Sequence, residues 1–248
     1  MNAKYGINPN RLKVVVLLVV VIVTLAALGA PSLASAAPST TTLTANALNS
    51  TVTWGGYTIV TGTLMDTTSH TALGGQKVDV QWSLTGSPLS WATLATVTTD
   101  TNQFYTGQYA AVVYPTQFTY YRFNFLGTPG YTASSSNVLL IHVKPALDVP
   151  KVPSSAKVNK KFTVSGTLKP RFPAGQQTVT LAAYRYNGHK WVSYKSYSAT
   201  NANNGAYTKY SASIKISKTG KYRFKASTAA TAKFSATTTD NSATVKIK

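Results

Sequence analysis

The chain has 248 residues, enough for two ordinary domains, and it is poor in charged residues but rich in Thr, Ser, Ala, Val and Tyr. This composition predicts an all-β protein. The absence of cysteine excludes a disulfide framework, a thiolate zinc site and a cysteine nucleophile. The formal net charge of +19 directs attention to anionic partners.

Residues 1–36 have the organisation of a secretory signal peptide. Basic residues ending at Lys13 precede an apolar run from Val14 to Ala30, and Ala34-Ser35-Ala36 supplies the A-x-A spacing of a cleavage site. We therefore expect export and cleavage after Ala36, which makes the mature protein extracellular or associated with the cell surface. Because the apolar run just reaches the length that spans a bilayer, an uncleaved N-terminal membrane anchor is the alternative.

Two related copies follow the leader, with a period of about 100 residues. Six motifs recur in one order: Val60–Leu64 with Val164–Leu168, Gly75–Val78 with Gly175–Val179, Trp91 with Trp191, Gly107–Tyr109 with Gly205–Tyr207, Tyr121–Phe123 with Tyr222–Phe224, and Tyr131–Ser134 with Phe234–Thr237. Three prolines, beginning with Pro145, lie between the copies and stiffen a short linker. The sequence predicts two domains, 38–145 and 146–248.

Each copy contains short runs of alternating polarity separated by turn residues. In the first copy, the predicted strands are 58–64, 77–84, 91–98, 107–113, 119–125 and 137–143. In the second, they are 163–168, 178–186, 191–197, 206–216, 220–226 and 242–247, with Asn187-Gly188 as a hairpin turn. One opening strand added to each copy gives about seven strands, which predicts two tandem immunoglobulin-like antiparallel β-sandwiches after an N-terminal hydrophobic signal helix.

The order of the motifs carries a resemblance. A V-x-G-T-L strand, a G-Q-x-V turn, a Trp-led strand, N-x-G-x-Y, Y-R-F and a Ser/Thr-rich stretch resemble the bacterial Ig-like (Big-type) repeat domains of exported surface proteins. The resemblance covers most of residues 40–248 and implies a binding, adhesive or spacer role. It transfers no site residue. The Cys pair of antibody domains is missing, which favours the bacterial branch.

Positive charge is concentrated in the second copy. Residues 38–145 hold three basic and three acidic side chains, whereas residues 146–248 hold eighteen basic and two acidic ones, a net charge of +16. Such an excess opposes compaction and attracts polyanions. The candidate polyanion-binding residues are Lys157, Lys160, Lys161, Lys209, Lys215, Lys218, Lys221 and Lys225.

Aromatic residues flank the predicted Asn187-Gly188 hairpin. Tyr184, Tyr186 and Trp191 form a candidate platform on which sugar rings or bases stack while nearby cations meet phosphates or carboxylates. The alternative is that these rings are half-buried parts of a small sandwich with a polar rim.

Residues that perform catalysis or bind metals are few and scattered. The chain has five Asp, no Glu and three His without ligand spacing, so no catalytic residue, metal or cofactor is predicted and an enzyme is not expected. The leading hypothesis is an exported binding or adhesion module that associates with an anionic cell-wall polymer or membrane surface. Sequence-independent nucleic-acid binding is a variant, and a passive spacer or assembly subunit and a secreted hydrolase are the alternatives.

Overall fold

The computed structural model describes residues 37–173 and 176–248, in which every regular element is a β-strand. Within these segments there is no helix of sufficient length and apolarity to span a membrane. Residues Pro38–Lys248 form one compact unit. The predicted signal helix over residues 1–36 lies outside the described residues.

Strand pairing gives four sheets, two before residue 145 (the first half, 38–145) and two after it (the second half, 146–248). The first sheet contains β1 (Thr41–Leu43), β2 (Asn46–Ala47), β4 (Thr58–Asp66), β5 (Thr71–Ala72) and β8 (Gln108–Val113). The second sheet contains β3 (Thr51–Thr53), β6 (Lys77–Ser83), β7 (Ala92–Thr98), β9 (Thr119–Phe125), β10 (Ser134–Ser135) and β11 (Leu139–Lys144).

The second half repeats this arrangement. Its first sheet contains β12 (Ala146–Leu147), β14 (Lys161–Lys169), β17 (Thr200–Asn204) and β18 (Tyr207–Lys215). Its other sheet contains β13 (Ser155–Ala156), β15 (Val179–Tyr186), β16 (Trp191–Ser198), β19 (Gly220–Thr228), β20 (Thr237–Thr238) and β21 (Val245–Ile247).

The two halves share one topology. In each, the opening segment starts in one sheet and continues in the other, where it pairs in parallel with the last strand: β3 with β11, and β13 with β21. The order β3-β11-β9-β6-β7 returns as β13-β21-β19-β15-β16. This is the immunoglobulin-like sandwich, so the prediction of an all-β, Ig-like architecture is confirmed. The predicted bounds of two separate domains stay a prediction, although the change of sheets does fall between Lys144 and Ala146.

Period-two alternation directs large side chains into each core. In β9, Tyr121, Phe123 and Phe125 are buried while the residues between them are half-buried. In β19, Tyr222 and Phe224 occupy the corresponding positions and are fully buried. The Y-R-F motif therefore recurs because its two aromatic residues fill the core on both occasions.

A glycine and a tyrosine face each other across the first sheet of the second half. Gly166 of β14 lies opposite Tyr210 of β18. A methyl group added to Gly166 would overlap the Tyr210 ring, so only glycine leaves room for the ring to cross the strand. The Tyr210 hydroxyl then donates a hydrogen bond of 2.7 Å to the carbonyl of Asp148, directly after β12. The pair thereby fastens the opening strand to the sheet.

The first half contains the same device. Gly62 lies opposite Tyr109, whose hydroxyl donates to the carbonyl of Thr44 in the opening segment. The equivalent of Tyr109 is therefore Tyr210, and the motif alignment that paired Tyr109 with Tyr207 is wrong. The β17–β18 hairpin is longer than the turn that precedes β8 in the first half, so the equivalent tyrosine lies three residues further along the chain than the alignment placed it. A shift by an odd number of residues moves a side chain to the other face of the sheet.

Most predicted strands are present to within two or three residues at either end. The Asn187-Gly188 hairpin is confirmed: Gly188 has a φ of 101°, and the Asn187 side chain accepts backbone hydrogen bonds from His189 and Lys190 at 3.1 and 2.9 Å. Strand β17 was not predicted. Its sequence, Thr-Asn-Ala-Asn-Asn, lacks apolar alternation because the strand pairs with β18 at the edge of the sheet.

Replacing Gly62 with Ala is expected to destabilise the protein by about 1–3 kcal/mol, because the methyl group forces the Tyr109 ring out of position. Gly130→Ala is the matched control, since an added methyl group there meets open space. Urea denaturation of both variants measures the difference. A Gly62→Ala variant as stable as the control would contradict the proposed packing.

Stability is expected to fall above pH 10. Burial raises the pKa of the Tyr109 and Tyr210 hydroxyls, and it raises that of Tyr121 to about 12. Because the pKa of each tyrosine is higher in the folded than in the unfolded protein, its contribution to the free energy of unfolding is complete below pH 10. This contribution is lost as the pH rises through the folded pKa. Urea denaturation from pH 8 to 12 measures it, and Tyr121→Phe should reduce the slope above pH 10. A flat profile to pH 12 would contradict tyrosine burial.

Candidate functional site

Four segments meet at one end of the second half, which we name the distal end. They are the turn 157–160, the hairpin turn 187–190, the turn 216–219 and residues 246–248. Backbone hydrogen bonds tie them together: Asn159 donates to Ile216 at 2.8 Å, and Val158 donates to Lys248 at 2.7 Å. The Arg185 guanidinium adds a bond of 3.1 Å to the carbonyl of Thr219. The distal end is therefore a structured surface built by several strands.

The opposite end of the second half contacts the first half. The backbone N–H of Phe118 donates to the carbonyl of Lys233 at 2.9 Å, and the N–H of Ser235 donates to the carbonyl of Val143 at 2.8 Å. The distal end lies at the other end of the second-half strands from this contact.

Basic side chains converge at the distal end. We name ten of them the distal basic cluster: Lys157, Lys160, Lys161, Arg185, Lys190, Lys215, Lys218, Lys221, Lys246 and Lys248. The segments that carry them contain no Asp or Glu. The two carboxylates of the second half lie elsewhere, Asp148 after β12 and Asp240 after β20. The positive charge of the cluster therefore has no Asp or Glu partner from its own segments.

Two pairs within the cluster bring like charges directly opposite one another. Lys161 of β14 lies opposite Lys215 of β18, and Lys221 of β19 lies opposite Lys246 of β21. Directly opposed like charges on neighbouring strands are destabilising. The arrangement therefore opposes stability in the free protein and favours any anion that neutralises it.

Six of the eight predicted polyanion-binding lysines belong to the cluster. The remaining two, Lys209 and Lys225, do not: Lys209 is exposed on β18, in one sheet, and Lys225 is half-buried on β19, in the other sheet. The basic residues of the second half are thus distributed over both sheets, and the largest group of them lies at the distal end.

The three predicted platform residues lie together on the outer side of β15 and β16. Tyr186 is opposite Trp191, with ring centroids 5.4 Å apart. Tyr184 is opposite Arg223 of β19. The Arg223 guanidinium lies 4.3 Å from the Trp191 ring centroid, and the Lys221 ammonium lies 5.9 Å from that of Tyr186. One face of Trp191 is therefore covered by a side chain of the protein itself.

The same cation–aromatic pair is present in the first half. The Arg122 guanidinium lies 4.4 Å from the Trp91 ring centroid. Since the first half has no excess of basic residues, the contact is a shared feature of the duplicated fold and contributes to sheet stability. It explains why the Trp-led strand and the Arg of Y-R-F recur together, which sequence reasoning missed.

Titratable side chains do not assemble into a metal centre anywhere in the described ranges, where no three His, Asp or Glu residues come close enough to hold an ion.

No protein-family model matches the chain, and no curated protein matches it. Among solved structures, it is similar to the D1-D4 ectodomain fragment of ICAM-5, with 15% identity, a TM-score of 0.41, and coverage of 83% of this chain and 54% of that chain. It is also similar to Escherichia coli alpha-2-macroglobulin activated by porcine elastase, with 13% identity, a TM-score of 0.31, and coverage of 84% and 23%. The chain thus spans about half the length of the ICAM-5 fragment.

Replacing Lys161 with Glu is expected to stabilise the protein by about 0.2–1 kcal/mol at low salt, because the repulsion from Lys215 becomes an attraction. Thr163→Glu is the matched control. It also makes the net charge less positive, but it places the new carboxylate opposite Ser213 and not opposite a lysine. Thermal denaturation at low and high NaCl measures both variants, and salt should reduce the gain. If the control substitution stabilised the protein equally, the gain in stability would not come from the contact between positions 161 and 215.

Proposed function

We propose that this protein is an exported, non-catalytic binding module of the cell surface, of the bacterial Ig-like repeat type, whose second half associates with polyanions. The observation that carries the proposal is the distal basic cluster, in which ten cationic side chains from separate segments share one end without an Asp or Glu side chain. A polyanion bound there would relieve the repulsion between opposed lysines.

The chemistry of the cluster favours a polymer or surface that is recognised by its negative charge. The second half has fifteen lysines and three arginines. Lysine ammonium groups act as point charges, whereas bidentate recognition of individual carboxylates or phosphates is typical of arginine. The ligand that fits is therefore an anionic cell-wall polymer or an anionic membrane surface, and nucleic acid would bind without sequence preference.

In this proposal the first half positions the basic second half and adds no net charge. Its three basic and three acidic residues cancel, and in chain order it stands between the leader and the basic second half. Backbone hydrogen bonds join the halves at the end of the second half opposite the distal end. If the leader is retained as an anchor, the first half would space the cluster away from the membrane that holds it.

A passive spacer or assembly subunit is the second candidate. Strand β7 is exposed and lies at the edge of its sheet, with a neighbouring strand on one side only. This favours the alternative, because sheet edges can pair between chains. A spacer requires no polyanion affinity, so binding measurements separate the two functions.

Replacing Lys157, Lys160 and Lys218 with Gln is expected to weaken binding to immobilised polyphosphate. The slope of log affinity against log salt should fall by about three, because three phosphate contacts are lost. The matched control carries Gln at Lys151, Lys169 and Lys233, which are exposed lysines outside the cluster and give the same net charge. Vesicles of anionic lipid provide a second arm that distinguishes a membrane surface from a polymer.

Equal loss of binding in both triple variants would show that only net charge matters. Retention on polyphosphate that is indifferent to salt in the unsubstituted protein would contradict an electrostatic mechanism.

A further inference from the structure

A pocket of about 640 Å³ lies where the two halves meet, and we name it the junction pocket. The segment after β14 and the turn after β19 supply most of its wall, and one residue comes from the first half. The residues that determine its chemistry are Gln117, Arg171, Phe172, Gln176, Lys233 and Phe234. Sites for small molecules have volumes of this order and are common at the interfaces between domains.

The wall of the junction pocket is held in place by contacts within the protein. The backbone N–H of Phe172 donates a buried hydrogen bond of 2.9 Å to the Thr208 hydroxyl. The Phe172 ring packs edge-on against the ring of Phe234, with centroids 5.2 Å apart. The carbonyl of Lys233 accepts the 2.9 Å bond from Phe118 that joins the halves. The pocket is therefore pre-formed, which lowers the entropic cost of binding a ligand.

Two cationic side chains, Arg171 and Lys233, line the junction pocket, and none of its lining residues is Asp or Glu. The turn 231–234 has a counterpart in the turn 128–131 of the first half. In both turns, the first residue donates a backbone hydrogen bond to the carbonyl of the fourth, at 2.8 and 2.9 Å. Gly130 stands in the first half where the second half has Lys233. The fold thus does not require a cation there, and the charge of the pocket suits an anionic ligand.

Arg171 differs from the other arginines of the described ranges, because those arginines have partners within the protein. Arg122 and Arg223 lie over tryptophan rings. Arg185 donates to the carbonyl of Thr219. The Arg171 side chain is exposed, and it makes no hydrogen bond, ion pair or ring contact with residues of these ranges. Such a guanidinium presents paired N–H donors that match two oxygens of a carboxylate or phosphate.

The other side chains of the junction pocket fit a ring that carries hydroxyl groups. The amides of Gln117 and Gln176 can each donate and accept hydrogen bonds, and a hydroxyl group does the same. The accessible edges of Phe172 and Phe234 supply apolar surface for the C–H groups of a ring. A sugar has both kinds of group.

We infer that the junction pocket binds a sugar that carries a carboxylate or a phosphate, with the oxyanion at Arg171 and Lys233 and the ring against the phenylalanine edges. Because Gln117 belongs to the first half and Arg171 to the second, the bound sugar contacts both halves and stabilises their junction. The pocket is separate from the distal basic cluster, and the inference does not rest on the proposed function.

A titration of isotope-labelled protein with galacturonate, monitored by backbone amide shifts in NMR spectra, tests the inference. We expect saturable shifts at Gln117, Arg171 and Lys233. Glucose 6-phosphate is the second arm, and the tighter of the two probes identifies the preferred oxyanion. Galactose lacks the anion and inorganic phosphate lacks the ring, so both should bind more weakly than the better probe.

Substitution of Arg171 tests its contact with the oxyanion. Arg171→Gln should raise the dissociation constant of the better probe at least about 10-fold, because a charge-assisted hydrogen bond is lost. Arg171→Lys keeps the charge but loses the paired donors, so it should also weaken binding. The matched control, Lys151→Gln, removes one charge from an exposed lysine that does not line the pocket. It should leave the dissociation constant unchanged.

The inference is overturned if neither probe causes saturable shifts at the junction pocket, or if galactose or inorganic phosphate binds there as tightly as the better probe. An unchanged dissociation constant in Arg171→Gln would also overturn it. Loss of polyphosphate binding in a protein that still binds galacturonate at the junction pocket would contradict only the proposed function.

Discussion

The opposition of a glycine and a tyrosine across two neighbouring strands is the constraint on which each half depends. The absence of a side chain at Gly166 lets the Tyr210 ring cross β14, and the ring carries its hydroxyl to the opening strand. In the first half, the Tyr109 ring also reaches Phe123 of the other sheet, with centroids 4.5 Å apart. One residue pair therefore joins the opening segment, the adjacent strands and the facing sheet, and the rest of the sandwich is arranged around it.

Duplication separates the residues that maintain the fold from those that distinguish the halves. The glycine–tyrosine pair, the Arg–Trp contact and the two core aromatic residues of Y-R-F are shared. The differences lie at the surface: Leu94 is the extra residue at the bulge of β7 where Tyr194 is the extra residue at the bulge of β16, and lysines accumulate at the distal end of the second half. Because the scaffold is common to both, these differences concern the surface and not the fold.

The sequence predicted the fold well because its signals are local or repeated. Alternating polarity located strands such as β9 and β19, and Asn187-Gly188 located a hairpin. It could not predict β17, whose residues are polar because they pair along an edge. The site was partly predictable: charge counting identified the basic half, but the convergence of Lys157 with Lys218 depends on backbone hydrogen bonds between distant turns.

The proposed function requires that polyanions bind to the distal end of the second half. A titration of isotope-labelled protein with polyphosphate, monitored by the backbone amide shifts of the non-proline residues in NMR spectra, measures this binding residue by residue. If polyanions bind there, the largest shifts fall in segments 157–161, 187–190, 215–221 and 246–248, with little change in the first half. Shifts distributed evenly over the lysines of the second half, or centred on the first half, would contradict it.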